Sequence, residues 1–349
     1  MKLQNIAILS LFAFCAVACS DEETAIKNDM IKKTLSPSIV GEKIEFAYAM
    51  GTTNGTIIKA EAVASVAGMD GTGFELNSWF TAQTGMDANG VHYNAGDDVP
   101  VRTVKDASTD GNTSTADMME QVDAHYINPT IPFGTQQTEL IAATLRYNYV
   151  VPAEAKGKTF HITFTAISST GERISYRTAD YKVSKMNMKR LIELSNGGAC
   201  YFSIEDMKAY TLEEVNAQGL ADKIDFIYNY QDQLNGFDYA HSFVSPATDP
   251  KFIAISGIVP QGASNDTPME QRANVHDAQL KGDNPAVYVD DIDFETLDLN
   301  GAMNYVLNLK KDDGAFMKTS DGKWAAFIYV NSVDASGKMT VSIKRYPLQ

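Results

Sequence analysis

The feature that most constrains the fold is a run of β-strand patterns between residues 145 and 183. Phe160, Ile162 and Phe164 fall on one side of a strand, and the residues between them are polar. Such alternation is typical of strands with one buried face. The Ser-Thr-Gly sequence at residues 169–171 supplies a turn. We therefore predict three consecutive antiparallel strands in this part of the chain.

A strand, a proline-containing bend at Pro152 and a closing hairpin follow one another here. This order is similar to the last strands of immunoglobulin-like bacterial surface domains. The resemblance implies an N-terminal immunoglobulin-like β-sandwich, to which we assign residues 37–185. Alternation at residues 43–49, followed by the Asn54-Gly55 turn signal, supports a strand near the start of this domain.

The remainder of the chain predicts a β-rich α+β domain over residues 199–349. Thr211 and Glu214 have the spacing of a capping box, and Gly219 then ends the predicted helix. Residues 269–280 predict a second helix.

Two further patterns complete the predicted domain organisation. Residues 324–330 and 339–346 predict a C-terminal hairpin, since they are two strand candidates joined by the turn sequence Asp-Ala-Ser-Gly at residues 334–337. Residues 186–198, which end in Asn-Gly-Gly, predict a linker between the two domains.

Residues 1–18 predict a targeting segment. A single positive charge precedes the apolar residues 6–14, which are too few for a membrane-spanning helix. Ala16 and Ala18 then precede Cys19. This ending resembles the lipobox of bacterial lipoproteins, although Ala16 stands where that family more often has Leu. The resemblance implies lipidation of Cys19, and an ordinary cleaved secretion signal is the alternative.

Residues 19–36 predict a polar tether. The Ser-Asp-Glu-Glu sequence at residues 20–23 resembles the acidic export tag of surface lipoproteins encoded in polysaccharide-utilisation loci of gut-type Gram-negative bacteria. The resemblance implies a lipid-anchored location in the outer membrane, exposed at the cell surface. The alternative is a solvated spacer whose charges keep it disordered.

Charge and cysteine content restrict the partners and the covalent structure. Lys and Arg number 29 against 44 Asp and Glu, which gives a net charge of −15. Phosphate backbones repel such a chain, so we predict no nucleic-acid partner. Removal of Cys15 and lipidation of Cys19 would leave Cys200 alone, which excludes an intramolecular disulfide. We expect Cys200 to act as a small buried hydrophobe.

The sharpest metal-binding pattern is an acidic segment that begins at residue 106. Its oxygen ligands would be Asp106, Ser108, Asp110, Asn112 and Asp117, at spacings of a calcium-binding loop. Ser108 replaces the usual Asp or Asn, and Asp117 is shorter than the usual Glu. Calcium is the one cofactor that the sequence suggests, and an exposed polar loop is the alternative.

A second acidic group alternates with apolar residues near the C-terminus. It comprises Asp290, Asp291, Asp293, Glu295 and Asp298. Paired carboxylates are what glycosidases use, but their separation decides the chemistry and the sequence gives no distance. A solvated face and cation binding are the alternatives.

Candidate ligand-stacking rings lie in a loop-rich region, at Trp79 and Tyr93. Exposed rings there would stack on sugars, whereas buried rings would fill the core. The sequence contains no G-x-S-x-G, G-x-x-x-x-G-K-[ST] or H-E-x-x-H motif. We therefore predict that the protein is not an enzyme.

The C-terminal half resembles a family of uncharacterised surface lipoproteins from gut-type bacteria. The resemblance is carried by residues 200–203, 223–226, 245–248 and 289–294 and by the final hairpin. It implies the location and the fold and supplies no catalytic residue. The function we predict is non-catalytic binding of a glycan or of a protein partner in a surface uptake complex. A structural or adhesive surface protein is the second hypothesis, and a glycan hydrolase is the third.

Overall fold

The computed structural model describes the backbone over most of the chain beyond the predicted targeting segment. The described residues are 25–55, 57–69, 72–80, 86–87, 90–91, 98–100, 103–105, 113–117, 142–231, 240–250, 258–281 and 287–349. Over these residues the fold is mainly β and its antiparallel sheets form two domains, as the sequence predicts.

The N-terminal domain is a β-sandwich of antiparallel sheets, as predicted, and its likeness to immunoglobulin-like domains stays a prediction. Its strands are β1 (Ile26–Lys33), β2 (Lys43–Thr52), β3 (Ile57–Ala64), β4 (Gly73–Phe80), β5 (Met86–Asp87), β6 (Gly90–Val91), β7 (Asp98–Pro100), β8 (Thr103–Lys105), β9 (Thr113–Asp117), β10 (Ala142–Val150), β11 (Thr159–Phe160), β12 (Ile162–Ser168), β13 (Arg173–Arg177) and β14 (Tyr181–Lys182). Among the described residues, one five-stranded sheet has the order β1-β2-β10-β4-β7 and the other has the order β13-β12-β3-β9-β8, while β11 pairs with β14 and β5 pairs with β6.

Aromatic rings from both sheets fill the N-terminal core. Tyr48 on β2 stacks on Phe164 of β12 with 5.1 Å between ring centroids. Tyr149 on β10 stacks on Phe160 at 4.6 Å. All four rings are buried, because the alternation seen in the sequence turns them towards the opposite sheet.

The three strands predicted between residues 145 and 183 exist, but they do not form one sheet. β12 and β13 pair as a hairpin, whereas β10 lies between β2 and β4 in the opposite sheet. After β10, Pro152 precedes a short 3₁₀ turn at Ala153–Ala155, through which the chain crosses to the other layer. Periodicity identified the strands and did not identify their partners.

Part of the segment predicted as a tether is a strand. β1 occupies residues 26–33 and pairs along β2, from Ile26 opposite Thr52 to Lys33 opposite Phe46. Ile26 is fully buried in the N-terminal core. The residues of β1 have the composition of a linker, but backbone pairing with β2 and the burial of Ile26 hold them in a strand.

The strands of the C-terminal domain are β15 (Asn187–Ser195), β16 (Tyr201–Ser203), β17 (Lys208–Tyr210), β18 (Phe226–Gln231), β19 (Ala240–Val244), β20 (Met269–Arg272), β21 (Tyr305–Leu309), β22 (Gly314–Lys318), β23 (Trp324–Asp334) and β24 (Lys338–Pro347). In the described part of this domain they form two five-stranded sheets, with the orders β15-β24-β23-β22-β20 and β17-β16-β18-β19-β21. The helices are α1 (Leu212–Gln218), α2 (Ala278–Lys281) and α3 (Asp291–Glu295).

The local helix signal at Thr211 is confirmed. The Thr211 side chain accepts from the Glu214 backbone N–H, the Glu214 side chain accepts from the Thr211 N–H, and Gly219 ends α1 with a left-handed φ of 64°. The predicted C-terminal hairpin is likewise present as β23 and β24.

Two other predictions differ from the structure. Residues 269–280 do not form a helix, because β20 pairs with β22 and only the short α2 begins at Ala278. Residues 187–195 of the predicted linker form β15, which pairs with β24 and buries Leu194. In both places pairing with a distant strand decides the conformation.

Strand β23 separates two cores and is buried on both faces. Ala326, Ile328 and Val330 face the core between the two C-terminal sheets. Phe327 and Tyr329 face a different core, in which α2, α3 and residues from the N-terminal domain cover the outside of the sheet. This explains why residues 324–330 of β23 are continuously apolar rather than alternating.

The domains meet at a contact region that we call the joint, formed by residues 37–42 and 183–186 against β15, α2 and α3. Ile39 and Met186 are buried in the outer core with Leu280 and Phe294. Their burial adds apolar contact to the covalent connection between the domains.

Polar contacts complete the joint. Arg190 donates to both carboxylate oxygens of Glu42, at 2.9 and 2.7 Å. The Gln279 amide donates to the Pro37 carbonyl at 3.0 Å. Ser184 donates to Asp291, and Lys182 lies 3.4 Å from the other oxygen of that carboxylate. The bidentate arginine pair fixes relative orientation as well as distance.

A buried ion pair holds α2 against the sheet. Lys344 Nζ lies 2.6 Å from Asp277 Oδ2, both side chains are 0 % exposed, and the ammonium also donates to the Val289 carbonyl at 2.8 Å. Asp277 accepts the backbone N–H groups of Gln279, Leu280 and Val289 as well. Since these partners of the carboxylate all belong to the protein, the ion pair holds the segment that carries α2 against β24.

Replacement of Lys344 by Met should destabilise the protein strongly. Lys344→Met leaves the Asp277 carboxylate buried without its cation, and breaking such a pair costs about 3–5 kcal/mol. Urea unfolding of the full mature chain measures the change. The matched control is Lys189→Met, at an exposed lysine on β15, which should stay close to the wild-type value. Equal stability of the two variants would contradict the assigned role of the pair.

Candidate functional site

The candidate site is a groove at the open side of the C-terminal domain, where the edge strands of its two sheets come together. β20 ends one sheet and β21 ends the other. The Met269 N–H donates to the Met303 carbonyl at 2.7 Å, just before β21 begins. Residues 269–271, 298–303 and 305–307 line a cavity of about 650 Å³. We call this cavity the edge groove.

One wall of the edge groove is a preformed turn. The Asp298 carboxylate accepts from the Asn300 backbone N–H at 3.0 Å. Gly301 has a φ of 76°, a left-handed conformation that favours glycine. The Ala302 N–H donates to the Leu299 carbonyl at 3.1 Å, and the Leu299 side chain is buried. The turn is therefore held in place without a ligand.

The lining combines polar groups with exposed apolar surface. Glu270 and Asp298 supply carboxylates, and Glu270 is 3.0 Å from the Arg272 guanidinium. Met303 is 61 % exposed, although it is a large apolar residue, and the half-buried Tyr305 adds a ring. Carboxylates and a phenol ring can accept hydrogen bonds from hydroxyl groups and contact the apolar face of a sugar ring.

The edge groove was not predicted from the sequence. Asp298 was noted only as the last member of an acidic group, and Glu270 lay within the segment predicted as a helix. The groove depends on which strands end their sheets, and strand periodicity carries no information on that point. The Asn300-Gly301 turn is the one local signal that could have drawn attention to this region.

The predicted site residues of the N-terminal half are largely outside the described part of the chain. Cys19, Tyr93, Asp106, Ser108, Asp110 and Asn112 all lie outside the described residues. Trp79 belongs to β4, opposite Ala143 of β10, and Asp117 ends β9 opposite Lys59 of β3. Lipidation, sugar stacking and calcium binding by these residues remain predictions.

The acidic group at residues 290–298 is divided between structural contacts and the edge groove. Asp290 caps α3 and accepts from the Ile292 and Asp293 N–H groups. Asp291 is buried in the joint. Glu295 accepts from the Tyr346 hydroxyl at 2.9 Å. Asp298 alone lines the edge groove, so this group does not form one carboxylate cluster.

Further observations concern cysteine, metals and membranes. Cys200 is 3 % exposed, and burial raises the pKa of its thiol, in agreement with the predicted role as a small hydrophobe. Within the described ranges, no three His, Cys, Asp or Glu side chains are grouped so that they could hold a metal ion. The helices of those ranges also include none with the length and apolar composition that crossing a membrane requires.

A buried carboxyl group at Asp225 forms a second electrostatic feature of the C-terminal domain. Asp225 is 4 % exposed and accepts from the Ile204 N–H at 2.7 Å. Burial raises its pKa to about 7, and the negative charges of Asp321, Glu205 and Asp206 add to the shift. The sequence gives no sign of this environment, because the residues that cover Asp225 come from distant segments.

Together, the fold and the edge groove define a two-domain, mainly-β protein with an open groove in its C-terminal domain. The family described as domain of unknown function (DUF4466) matches residues 23–183, and the family described as domain of unknown function (DUF8576) matches residues 184–348. The two matched regions together cover both structural domains.

A DUF4466 family protein from Parabacteroides merdae has 33 % sequence identity to this chain, with a TM-score of 0.74. The match covers 93 % of this chain and 99 % of that chain. The chain belongs to the DUF4466 family. The predicted resemblance to a family of unknown function is therefore confirmed at that level.

Other comparisons add nothing to the fold or function. The major pilin subunit of Bacillus cereus has 10 % identity over 50 % of this chain and 44 % of its own length, with a TM-score of 0.23. None of the curated proteins matches the chain.

Replacement of Asp225 by Asn should remove a pH dependence of stability. Between about pH 4 and pH 7 the unfolded chain loses the proton that the folded protein keeps, so the free energy of unfolding falls as pH rises. The slope from this group is at most about 1.4 kcal/mol per pH unit. Asp225→Asn keeps an oxygen for the Ile204 N–H and should flatten the slope.

Urea unfolding over this pH range tests the effect of Asp225. Asp222→Asn, at an exposed carboxylate nearby, is the control and should retain the wild-type slope. A slope unchanged in Asp225→Asn would show that the carboxyl group does not hold its proton in the folded protein.

Proposed function

We propose that this protein is a lipid-anchored, cell-surface protein that binds a glycan non-catalytically in the edge groove. The observation that carries the proposal is the groove itself, which is open, preformed and lined by both hydroxyl-accepting groups and exposed apolar surface. Anchoring rests on the lipobox-like sequence that ends at Cys19. Calcium binding by residues 106–117 is a separate proposal that rests on the sequence pattern alone.

The charge of the lining favours neutral sugars over acidic ones. Glu270 and Asp298 are the charged residues among those that line the described groove, and both are acidic. The whole chain carries a net charge of −15. A uronate or sulfate group would be repelled both locally and at a distance, whereas hydroxyl groups can donate to the carboxylates.

A protein partner is the alternative occupant, because Met303 is exposed and methionine-rich surfaces adapt to peptides. A hydrolase would require two carboxylates in the roles of acid and base or nucleophile. Glu270 is already paired with Arg272, and Asp298 already accepts from the backbone of its own turn. These contacts support a binding role for both carboxylates.

Binding of neutral glycans by the mature chain without its lipid is the first test. An array of neutral and acidic glycans identifies ligands, and calorimetric titration measures their affinity. Glu270→Gln and Asp298→Asn should each weaken binding about five- to tenfold, because the amide keeps an acceptor oxygen and loses only the charge, a difference of about 1 kcal/mol. Glu213→Gln, at an exposed glutamate on α1, is the control and should bind as the wild type does.

Several outcomes would contradict the proposed function. Silence across the neutral glycans, or wild-type affinity in both groove variants, would exclude glycan binding in the edge groove. Release of shortened sugars during incubation would show that the protein is catalytic. Trypsin treatment of intact cells tests the location, since a chain cleaved only after cell breakage is not at the surface.

A further inference from the structure

We infer that the N-terminal sandwich is a spacer, which holds the C-terminal domain and its edge groove away from the membrane. The inference rests on the proposed anchor at Cys19 and concerns the direction in which the chain leaves it. It follows from the register of the strands, because the tether and the joint lie at opposite ends of the same sandwich.

The tether enters at one end of the sandwich. Ile26, the first residue of β1, lies opposite Thr52, the last residue of β2. The Thr53 N–H donates to the Ala25 carbonyl at 3.0 Å. Ile57 of β3 lies opposite Ser168 of β12, so this strand pair ends at the turn that follows β12.

The joint lies at the other end. Lys43 begins β2 opposite Val150, the last residue of β10. The preceding residue, Glu42, carries the bidentate pair with Arg190 of the C-terminal domain. The backbone at Ser38 pairs with Val183 immediately before the chain enters that domain. β2 therefore runs from the joint to the tether end.

The dimensions give the spacer its length. β2 has ten residues, so the two ends of the sandwich are roughly 30 Å apart at ~3.4 Å per residue. Residues 20–25 between the proposed anchor and β1 would reach roughly 20 Å if fully extended. A tether of this length keeps the Ile26 end near the lipid surface, while the joint is set back by the length of the sandwich.

The edge groove is displaced further from the joint within the C-terminal domain. β15, which carries Arg190, is one edge of its sheet, and β20, which lines the groove, is the opposite edge. Four strand spacings of ~4.8 Å separate them by roughly 19 Å. Arg190 and the groove-lining strand β20 therefore lie at opposite edges of this sheet.

Energy transfer to a membrane dye measures this arrangement. The chain from Ser20 onward, with a histidine tag in place of Cys19, is bound to vesicles that contain nickel-chelating lipid and an acceptor-labelled lipid. A donor dye is attached to a single introduced cysteine, at Thr53→Cys, Lys185→Cys or Asn300→Cys, three exposed positions. Cys200 is buried, and the unsubstituted chain should take up no dye.

Transfer should be strongest from the tether end. We expect the efficiency at Thr53→Cys to be roughly twice that at Lys185→Cys, because about 30 Å separates the two ends of the sandwich. Asn300→Cys should also transfer less than Thr53→Cys. Equal transfer from Thr53→Cys and Lys185→Cys would mean that the sandwich lies along the membrane, and stronger transfer from Asn300→Cys would mean that the groove faces it. Either result overturns the inference.

The experiment separates this inference from the proposed function. The tag replaces the lipid, so the orientation is measured whether or not Cys19 is acylated. Labelled fatty acid incorporated into the wild type but not into Cys19→Ser tests acylation independently, and glycan titration tests the groove.

Discussion

The ion pair between Lys344 and Asp277 is the interaction on which the arrangement of the C-terminal domain depends. It places a charge in a buried part of β24 and surrounds it with a carboxylate and a carbonyl, at 2.6 and 2.8 Å. The same carboxylate holds the first turn of α2 and the Val289 N–H. Because an unpaired charge at this depth would be costly, α2 and the segment before α3 can cover the sheet in one way only.

α2 and α3, which cover the sheet, also form part of the joint. α2 and α3 supply Leu280 and Phe294 to the core that receives Ile39 from the N-terminal domain and Met186 from the connection between the domains. The contacts of Arg190 with Glu42 then fix the angle at which the domains meet. Apolar packing and this ion pair thus act together at the same contact region between the two domains.

Local signals predicted much of the secondary structure, and long-range pairing decided the rest. The capping box at Thr211 was sufficient to predict α1, and the alternation around Phe164 was sufficient to predict β12, since cap geometry and side-chain direction are local properties. Met269 begins a strand instead of a helix, because β22 offers it backbone partners. The edge groove and the surroundings of Asp225 could not be predicted, because segments distant in sequence build both. The family comparison supports the fold and leaves the activity open.

The central claim is that the joint couples the two domains into a single unit, and calorimetric unfolding of the mature chain tests it most directly. A coupled chain should unfold in one transition, with a calorimetric enthalpy equal to the van't Hoff enthalpy. Arg190→Ala should weaken the coupling and separate the transition into two. Two well-separated transitions in the wild type, unaffected by Arg190→Ala, would show that the domains are independent and would contradict the account.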